Sequence, residues 1–327
     1  MKSTTFPEAV SATAAAKTRP GRSCPIDYHY GARALAAPAT LATDSLWIAG
    51  GVYGNALALE RLEEMFAKER GRAKLVFNGD FHWFDLDDAA FAAVERGVSR
   101  HAATRGNVET ELAQPQAGAG CGCGYPGWVG DEDVERSNRI IERLKATAAR
   151  ATGAAGRLAA LPMHLVAEVG GQRVAVVHGD ADGLAGWGFS QEVLATPDGR
   201  TAARAAFDAA GVDVFASSHS CLPVLLDFGD SRAVINNGAA GMPNFEGTHY
   251  GLATRISIEP CDGALYRGRI SGLHVEAIPV DYDAKAWRAA FLAQWPEDSD
   301  AHTSYFGRIL NGPRYSINDA VRTRFSG

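Results

Sequence analysis

The sequence predicts an α/β layered fold with its functional site at the carboxyl ends of the strands. Short apolar runs of the buried-strand type alternate with segments whose apolar residues recur at helical spacing. Each of those runs stops in a polar, usually glycine-containing turn, where open α/β sheets place their sites. Composition sets the scale: 327 residues, 46% hydrophobic and 21% charged, suit a globular chain and exclude global disorder. A chain this long buries roughly three quarters of the surface its unfolded form exposes, so it needs no staples.

Residues 1 to about 40 are rich in Ala, Thr, Pro and Ser without periodicity, and read as a poorly structured lead-in. Residues 41–327 read as a single domain. Its first strand is Ser45-Leu46-Trp47-Ile48-Ala49, ending in Gly50-Gly51, and a helix from about Asn55 puts Leu59, Leu62 and Phe66 on one face. Leu75-Val76-Phe77 is a second strand and stops at Asn78-Gly79-Asp80. A helix over about 87–95 leads to a strand around 101–104, which runs into Arg105-Gly106-Asn107. The Gly- and Cys-rich stretch 114–130 is a long loop. An amphipathic helix follows over about 131–149, with Val134, Ile141 and Leu144 as its apolar stripe.

Two apolar runs flanking Gly170-Gly171 form a hairpin whose second arm ends in His178-Gly179-Asp180. A helix over about 201–210 precedes a strand over 212–216 that stops at Ser217-Ser218-His219-Ser220-Cys221. Another hairpin turns at Gly229-Asp230 and ends in Asn236-Asn237-Gly238. Strands over 252–258 and 274–280 are expected to finish the second sheet, and the tail from 284 is helical.

Charge and cysteine content narrow the partners. With 32 basic and 38 acidic residues the net charge is −6, without the basic field of a nucleic-acid or anionic-membrane binder. Five cysteines in so long a chain do not suggest a disulfide framework. No apolar run approaches the ~20 residues of a membrane span, and the N-terminus shows no secretory h-region. The expectation is a soluble cytoplasmic protein with a small-molecule partner and an undetermined oligomeric state.

The polar residues at successive strand ends, Asp80, Asn107, His178 and His219, form a hard-to-borderline donor set suited to Mn²⁺, Fe²⁺ or Zn²⁺. Singly, each has an ordinary role as helix cap, turn residue or core histidine. Together and in this order the motifs resemble the calcineurin-like metallophosphoesterase superfamily over about residues 45–245. Gly51-Val52-Tyr53-Gly54-Asn55 stands at D-x-H-G-N, Gly79-Asp80 at G-D, and Gly106-Asn107-Val108-Glu109 at G-N-H-E/D. His178-Gly179 stands at the His-Gly pair, Ser218-His219-Ser220-Cys221 at G-H-x-H, and Asn236-Asn237-Gly238-Ala239 at the closing turn. The resemblance implies a four-layer αββα sandwich of two mixed sheets, with metal ions on the loops between the inner sheets and hydrolysis of a phosphoester by metal-activated water.

The departures are selective. The family's first metal uses positions that here read Gly51, Tyr53, Asp80 and Cys221, so three of its four ligands are changed. The second uses Asp80, Asn107, His178 and His219, all present. One divalent ion (Mn, Fe or Zn) per chain is therefore expected. The family's general-acid His is Val108, a loss worth ~10²–10⁴-fold where that role operates. His82 is the nearest replacement acid in sequence, or it packs the loop with Trp83. The resemblance makes Asp80 and His219 catalytic as well as ligating. It places Asn55, Arg105 and Tyr53 against substrate phosphate, unless they only hold their loops. Cys121, Cys123 and Cys221 either rebuild a soft first site or are three reduced thiols.

Two other readings remain open. Ala49-Gly50-Gly51-Val52-Tyr53-Gly54 approximates a dinucleotide fingerprint, with Asp80 as its ribose acid, but leaves Asn107, His178 and His219 without a role. The alternative within the fold is a weak or inactive descendant that binds a phosphorylated ligand or partner.

Overall fold

The structure, a computed structural model, describes residues 19–322. In chain order the strands are β1 (Leu41–Thr43), β2 (Ser45–Ala49), β3 (Ala73–Asn78), β4 (Ala102–Thr104), β5 (His164–Val169), β6 (Gln172–Val177), β7 (Val214–Ser217), β8 (Val224–Asp227), β9 (Ala233–Asn236), β10 (Gly251–Ser257), β11 (Tyr266–Ile270), β12 (Leu273–Val280) and β13 (Val321–Arg322). They form two mixed sheets, ordered β1-β5-β6-β7-β9-β8-β13 and β11-β12-β10-β2-β3-β4.

Strand periodicity decides which layer each residue joins. Along β2, Leu46 and Ile48 pack between the sheets with Val76, Val174, Val176 and Val214, whereas Trp47 and Ala49 join the helix-side core. On β6, Val174 and Val176 face the inter-sheet core while Ala175 and Val177 pack with Phe207 and Phe215 on the other side. Strands covered on both faces read as continuous apolar runs, as these do. Helices Ala56–Phe66, Asp88–Val98, Asp131–Arg150 and Ala284–Gln294 pack on the outer face of the six-stranded sheet, and Pro197–Ala210 on the outer face of the seven-stranded one. The result is the four-layer αββα sandwich. Helix starts are capped locally: Asn55, Asp87, Thr196 and Asp283 each accept from backbone N–H groups one turn on.

The structure corrects two expectations. Strands β10 and β12 complete the first sheet, not the second: β10 lies antiparallel to both β2 and β12. An apolar run reports burial but not its partner, and here the chain crosses between sheets after β9, where Ala239 bridges Gly51 and accepts from Leu252 N–H. The second sheet instead gains β1, parallel to β5, and β13 at its far edge.

The lead-in is also different. Residues 1–18 lie outside the described residues, but 19–40 form a strap with buried Tyr28 and Leu35. Tyr28 Oη donates to Glu111 at 2.6 Å, and Arg22 donates to the carbonyls of Pro126 and Val129. Gly21 exchanges backbone bonds with Ala119 and Tyr125. The strap therefore clamps the 114–130 loop, which has neither helix nor strand. A helix that the sequence did not signal, Asn107–Ala113, begins at the candidate ligand itself. Among the described residues no helix is long and apolar enough to cross a membrane.

Candidate metal centre

Strands β3, β4, β6 and β7 end at one level, and buried Asn78 stitches them together. Its Nδ2 donates to Val177 O (2.8 Å) and Ser218 Oγ (2.9 Å), and its Oδ1 accepts from Thr104 Oγ1 at 2.8 Å. The turn after Asn78 needs glycine: Gly79 has φ +73°, and a Cβ there would meet His178 Nδ1. Asp80 follows in a left-handed conformation, φ 54°. Glu109 holds that turn, accepting from the N–H groups of Asp80, Phe81, His82 and Gly106 at 2.8–3.3 Å.

Four side chains converge above this floor. His178 Nε2 is 3.3 Å from Asp80 Oδ1, 3.3 Å from Asn107 Oδ1 and 3.2 Å from His219 Nδ1. Ligand atoms of Asp80, His178 and His219 all lie within 4.8 Å of one another, and all three residues are buried. The outer contacts fix the chemistry of the inner atoms. His178 Nδ1–H donates to Asn78 O (2.8 Å), and His219 Nε2–H donates to Cys123 O (2.8 Å). Asn107 Nδ2 donates to Cys121 O at 3.0 Å. Each neutral imidazole thus turns a lone pair inward, and the amide and the carboxylate turn oxygens inward.

Four acceptors face one space with no donor among them, which is the arrangement a cation requires. Ligand atoms about 2.0–2.2 Å from a common ion stand roughly 3.0–3.5 Å from one another, as the three contacts of His178 Nε2 do. The donor set of two imidazoles, one carboxylate and one amide suits Mn²⁺, Fe²⁺ or Zn²⁺.

The local pKa values follow the same geometry. Burial works against the Asp80 carboxylate, but His178, His219 and the Val108 N–H outweigh it and hold the group below its usual range. Burial works against a charged His178, but Asp80 and its hydrogen bond outweigh it and raise its pKa. For His219, burial and then His178 push the pKa down to about 4. A proton on His178 is thus the competitor a cation must displace.

Beside this centre the positions that resemble a first metal site hold a different arrangement. Tyr53 (φ 54°) and Cys221 (φ 61°) share the left-handed backbone of Asp80. The Tyr53 ring covers Gly51 so closely that a Cβ at Gly51 would overlap it. The Cys221 thiol donates to His219 O (3.2 Å), and the Tyr53 hydroxyl is bonded to the sulfur at 2.7 Å. Arg308, from the tail, clamps the loop by donating to Cys221 O and Pro243 O. Burial, reinforced by the neighbouring thiol, raises the Tyr53 pKa, so the phenol stays protonated. This half of the site is filled and satisfied.

A cavity of about 70 Å³ opens between the two halves, lined by Asp80, Asn107, Val108, His219, Cys221 and a wall of aromatic side chains. The Gly- and Cys-rich loop does return over the site. Cys121 and Cys123 are joined by a disulfide, however, and the Cys221 sulfur is hydrogen-bonded to the Tyr53 hydroxyl, so the three do not form a thiolate cluster.

Three other candidates fall elsewhere. His82 is wholly buried, stacked on Phe91 with its Nδ1 on Asp85, and does not line the cavity, so it is no replacement acid. Asn55 is spent on Ala58 N–H and Gly241 O as the cap of its helix. Arg105 donates to Ala159 O, away from the cavity. Tyr53 does line the cavity, though its hydroxyl is engaged by sulfur. Sequence reasoning missed Asn78, Glu109 and Arg308. Asn78 adjoins Gly79-Asp80 and Glu109 closes the Gly106–Glu109 motif without being given a role, which was the available signal; Arg308 had none.

No family model matches the sequence, and no curated protein does. Solved structures do resemble the fold. A hypothetical protein from Pyrococcus horikoshii OT3 is 15% identical over 84% of this chain and 100% of that one, with a TM-score of 0.54. A metallophosphoesterase from Sphaerobacter thermophilus is 17% identical over 82% of this chain and 100% of that one, with a TM-score of 0.52. At these identities the likeness is one of fold, and the chain has the calcineurin-like metallophosphoesterase fold.

Proposed function

We propose that this chain, on its metallophosphoesterase fold, hydrolyses a small phosphoester using one divalent cation held by Asp80, Asn107, His178 and His219. The observation that carries the reading is the convergence of four acceptors without a donor. A bound cation of this class lowers the pKa of a coordinated water toward about 7 and polarises a phosphoryl oxygen.

The chain's own residues supply the rest. Asp80 brings the single negative charge of the set. The carbonyls of Asn78 and Cys123 fix the tautomers of His178 and His219, and Cys121 O orients the Asn107 amide. Val108 lines the cavity where the fold's general acid would stand, so the leaving group receives no proton there and turnover is slow.

The test is metal analysis of protein dialysed against Zn²⁺ or Mn²⁺, beside a screen of generic phosphoesters. One ion per chain with slow turnover is expected, and a protein that retains no ion refutes the reading. A second reading, a binder of phosphorylated ligands without turnover, is favoured by the Tyr53 ring that fills the first-metal position. Metal-dependent phosphate binding without hydrolysis of any ester would select it.

A further inference from the structure

Resting on the phosphoester reading, we infer that the leaving group is a planar, phenol-like ring stacked against Trp187 and the exposed Trp128. Three observations carry this. First, outside the ligand set the cavity is lined only by hydroxyl, sulfur, indole and aliphatic groups, none of them an acid near neutral pH that could protonate a departing alkoxide. Val108 occupies the acid's position, the Tyr53 hydroxyl is held by Cys221, and Tyr125 Oη is held by Ser137 Oγ. An aliphatic alcohol, with a pKa near the ~15.7 of water, leaves poorly without such a proton. A phenol, with a pKa of about 10, leaves as its anion.

Second, the wall is aromatic and carries no cationic side chain. Tyr53, Trp83, Tyr125, Trp187 and Tyr305 line the cavity, and neither Lys nor Arg does. Such a wall offers little to a second phosphate and much to a ring. Third, the aromatic surface runs from the metal centre to solvent. Trp187 stands edge-on to His219 at 5.3 Å, Tyr125 lies 5.8 Å from Trp187, and Trp128 lies 6.4 Å from it. Trp128 is 56% exposed, on the loop that the N-terminal strap pins in place. A large aromatic left open beside a buried centre is a stacking platform.

The reaction balances without a co-reactant. The water oxygen bonds phosphorus as the bond from phosphorus to the aryl oxygen breaks, and that electron pair leaves on the phenolate. Both water protons stay with the phosphate, and the phenolate takes a proton from solvent.

Binding can be read without turnover from tryptophan fluorescence of the Zn²⁺-loaded protein, using phenylphosphonate and methylphosphonate, whose P–C bonds do not hydrolyse. Phenylphosphonate should bind about tenfold more tightly, the scale expected of one aromatic contact with its buried area. Trp187→Ala and, at the exposed position, Trp128→Ala should each cut that ratio to about threefold or less, with folding checked by circular dichroism. Equal affinity of the two phosphonates for the parent overturns the aryl assignment and leaves the phosphoester reading standing. Failure of both to bind overturns the phosphoester reading and this inference with it.

Discussion

The centre holds two half-sites on one backbone, and they have opposite chemistry. Around His178, four acceptors crowd together and only a cation or a proton reconciles them. Around Tyr53, a phenol, a thiol and a carbonyl form a chain of donors and acceptors in which every group has a partner. Yet Tyr53, Asp80 and Cys221 keep the same left-handed φ of 54–61°. Such conformations cost of order 1–3 kcal/mol each in a non-glycine residue and cluster at functional sites. The same left-handed backbone thus occurs on both sides, while the side chains gather four acceptors on one side only. Whether the chain binds a metal is decided by who donates to whom, not by loop shape.

The largest expected effect comes from breaking the charged half. Asp80→Asn removes the one carboxylate and adds an amide donor to a space built from acceptors. Zn²⁺ affinity should fall by more than ~100-fold, beyond the ~10–100-fold typical of outer-shell changes. Calorimetric titration checks it, and activity should vanish in parallel. Unchanged affinity would show that the ion, if any, lies elsewhere.

Converting the filled half into a copy of its neighbour is the sharper test. Gly51→Asp alone must force its side chain into the Tyr53 ring, so it should destabilise by about 1–3 kcal/mol. Adding Tyr53→His clears that space, and the two changes should be strongly non-additive in denaturant unfolding, as contacting residues are. With Cys221→His as well, metal content should rise from one ion per chain to two. Additive effects of the first two changes would show that the ring does not occupy the ligand's place.

The pH dependence probes the unfilled half directly. Metal binding requires neutral His178, whose pKa lies above 6.5 because Asp80 outweighs burial. Below that raised pKa a proton must be expelled for each ion bound, so apparent affinity falls by up to about tenfold per pH unit. It levels off above the raised pKa. His219, neutral down to about pH 4, adds no step in this range. Titrations at pH 6, 7 and 8 test the sign: affinity that does not improve with pH contradicts the Asp80–His178 pairing.

Much of this was legible in the sequence, and the gaps have physical causes. Asp80, Asn107, His178 and His219 could be read because each follows a buried strand, and strand ends that converge in space leave their polar residues in register. The αββα layering was legible through the family resemblance. The partners of β10 and β12 were not, because local pattern encodes burial and not neighbours. His82 and Asn55 looked functional by proximity to motifs, yet a buried imidazole stacked on Phe91 and a helix cap satisfy the same sequence pattern. The strap over 19–40 was invisible because its order comes from tertiary bonds such as Tyr28 to Glu111 rather than from periodicity.

The smallest effect is expected at Tyr53 itself. Its hydroxyl donates to a sulfur that already donates to His219 O, so it has no free proton to offer a phosphate oxygen. Tyr53→Phe removes one neutral hydrogen bond, worth about 0.5–1.5 kcal/mol net, and keeps the ring that fills the space over Gly51. Thermal unfolding should shift down by only about 1–4 °C for a chain of this size. Hydrolysis of an aryl phosphate should stay within about threefold of the parent, because the lost bond lies on the satisfied side of the centre. A loss beyond about tenfold would mean that the phenol leaves the thiol and meets the substrate in the reacting complex. The filled half would then be a working part of the site rather than its plug.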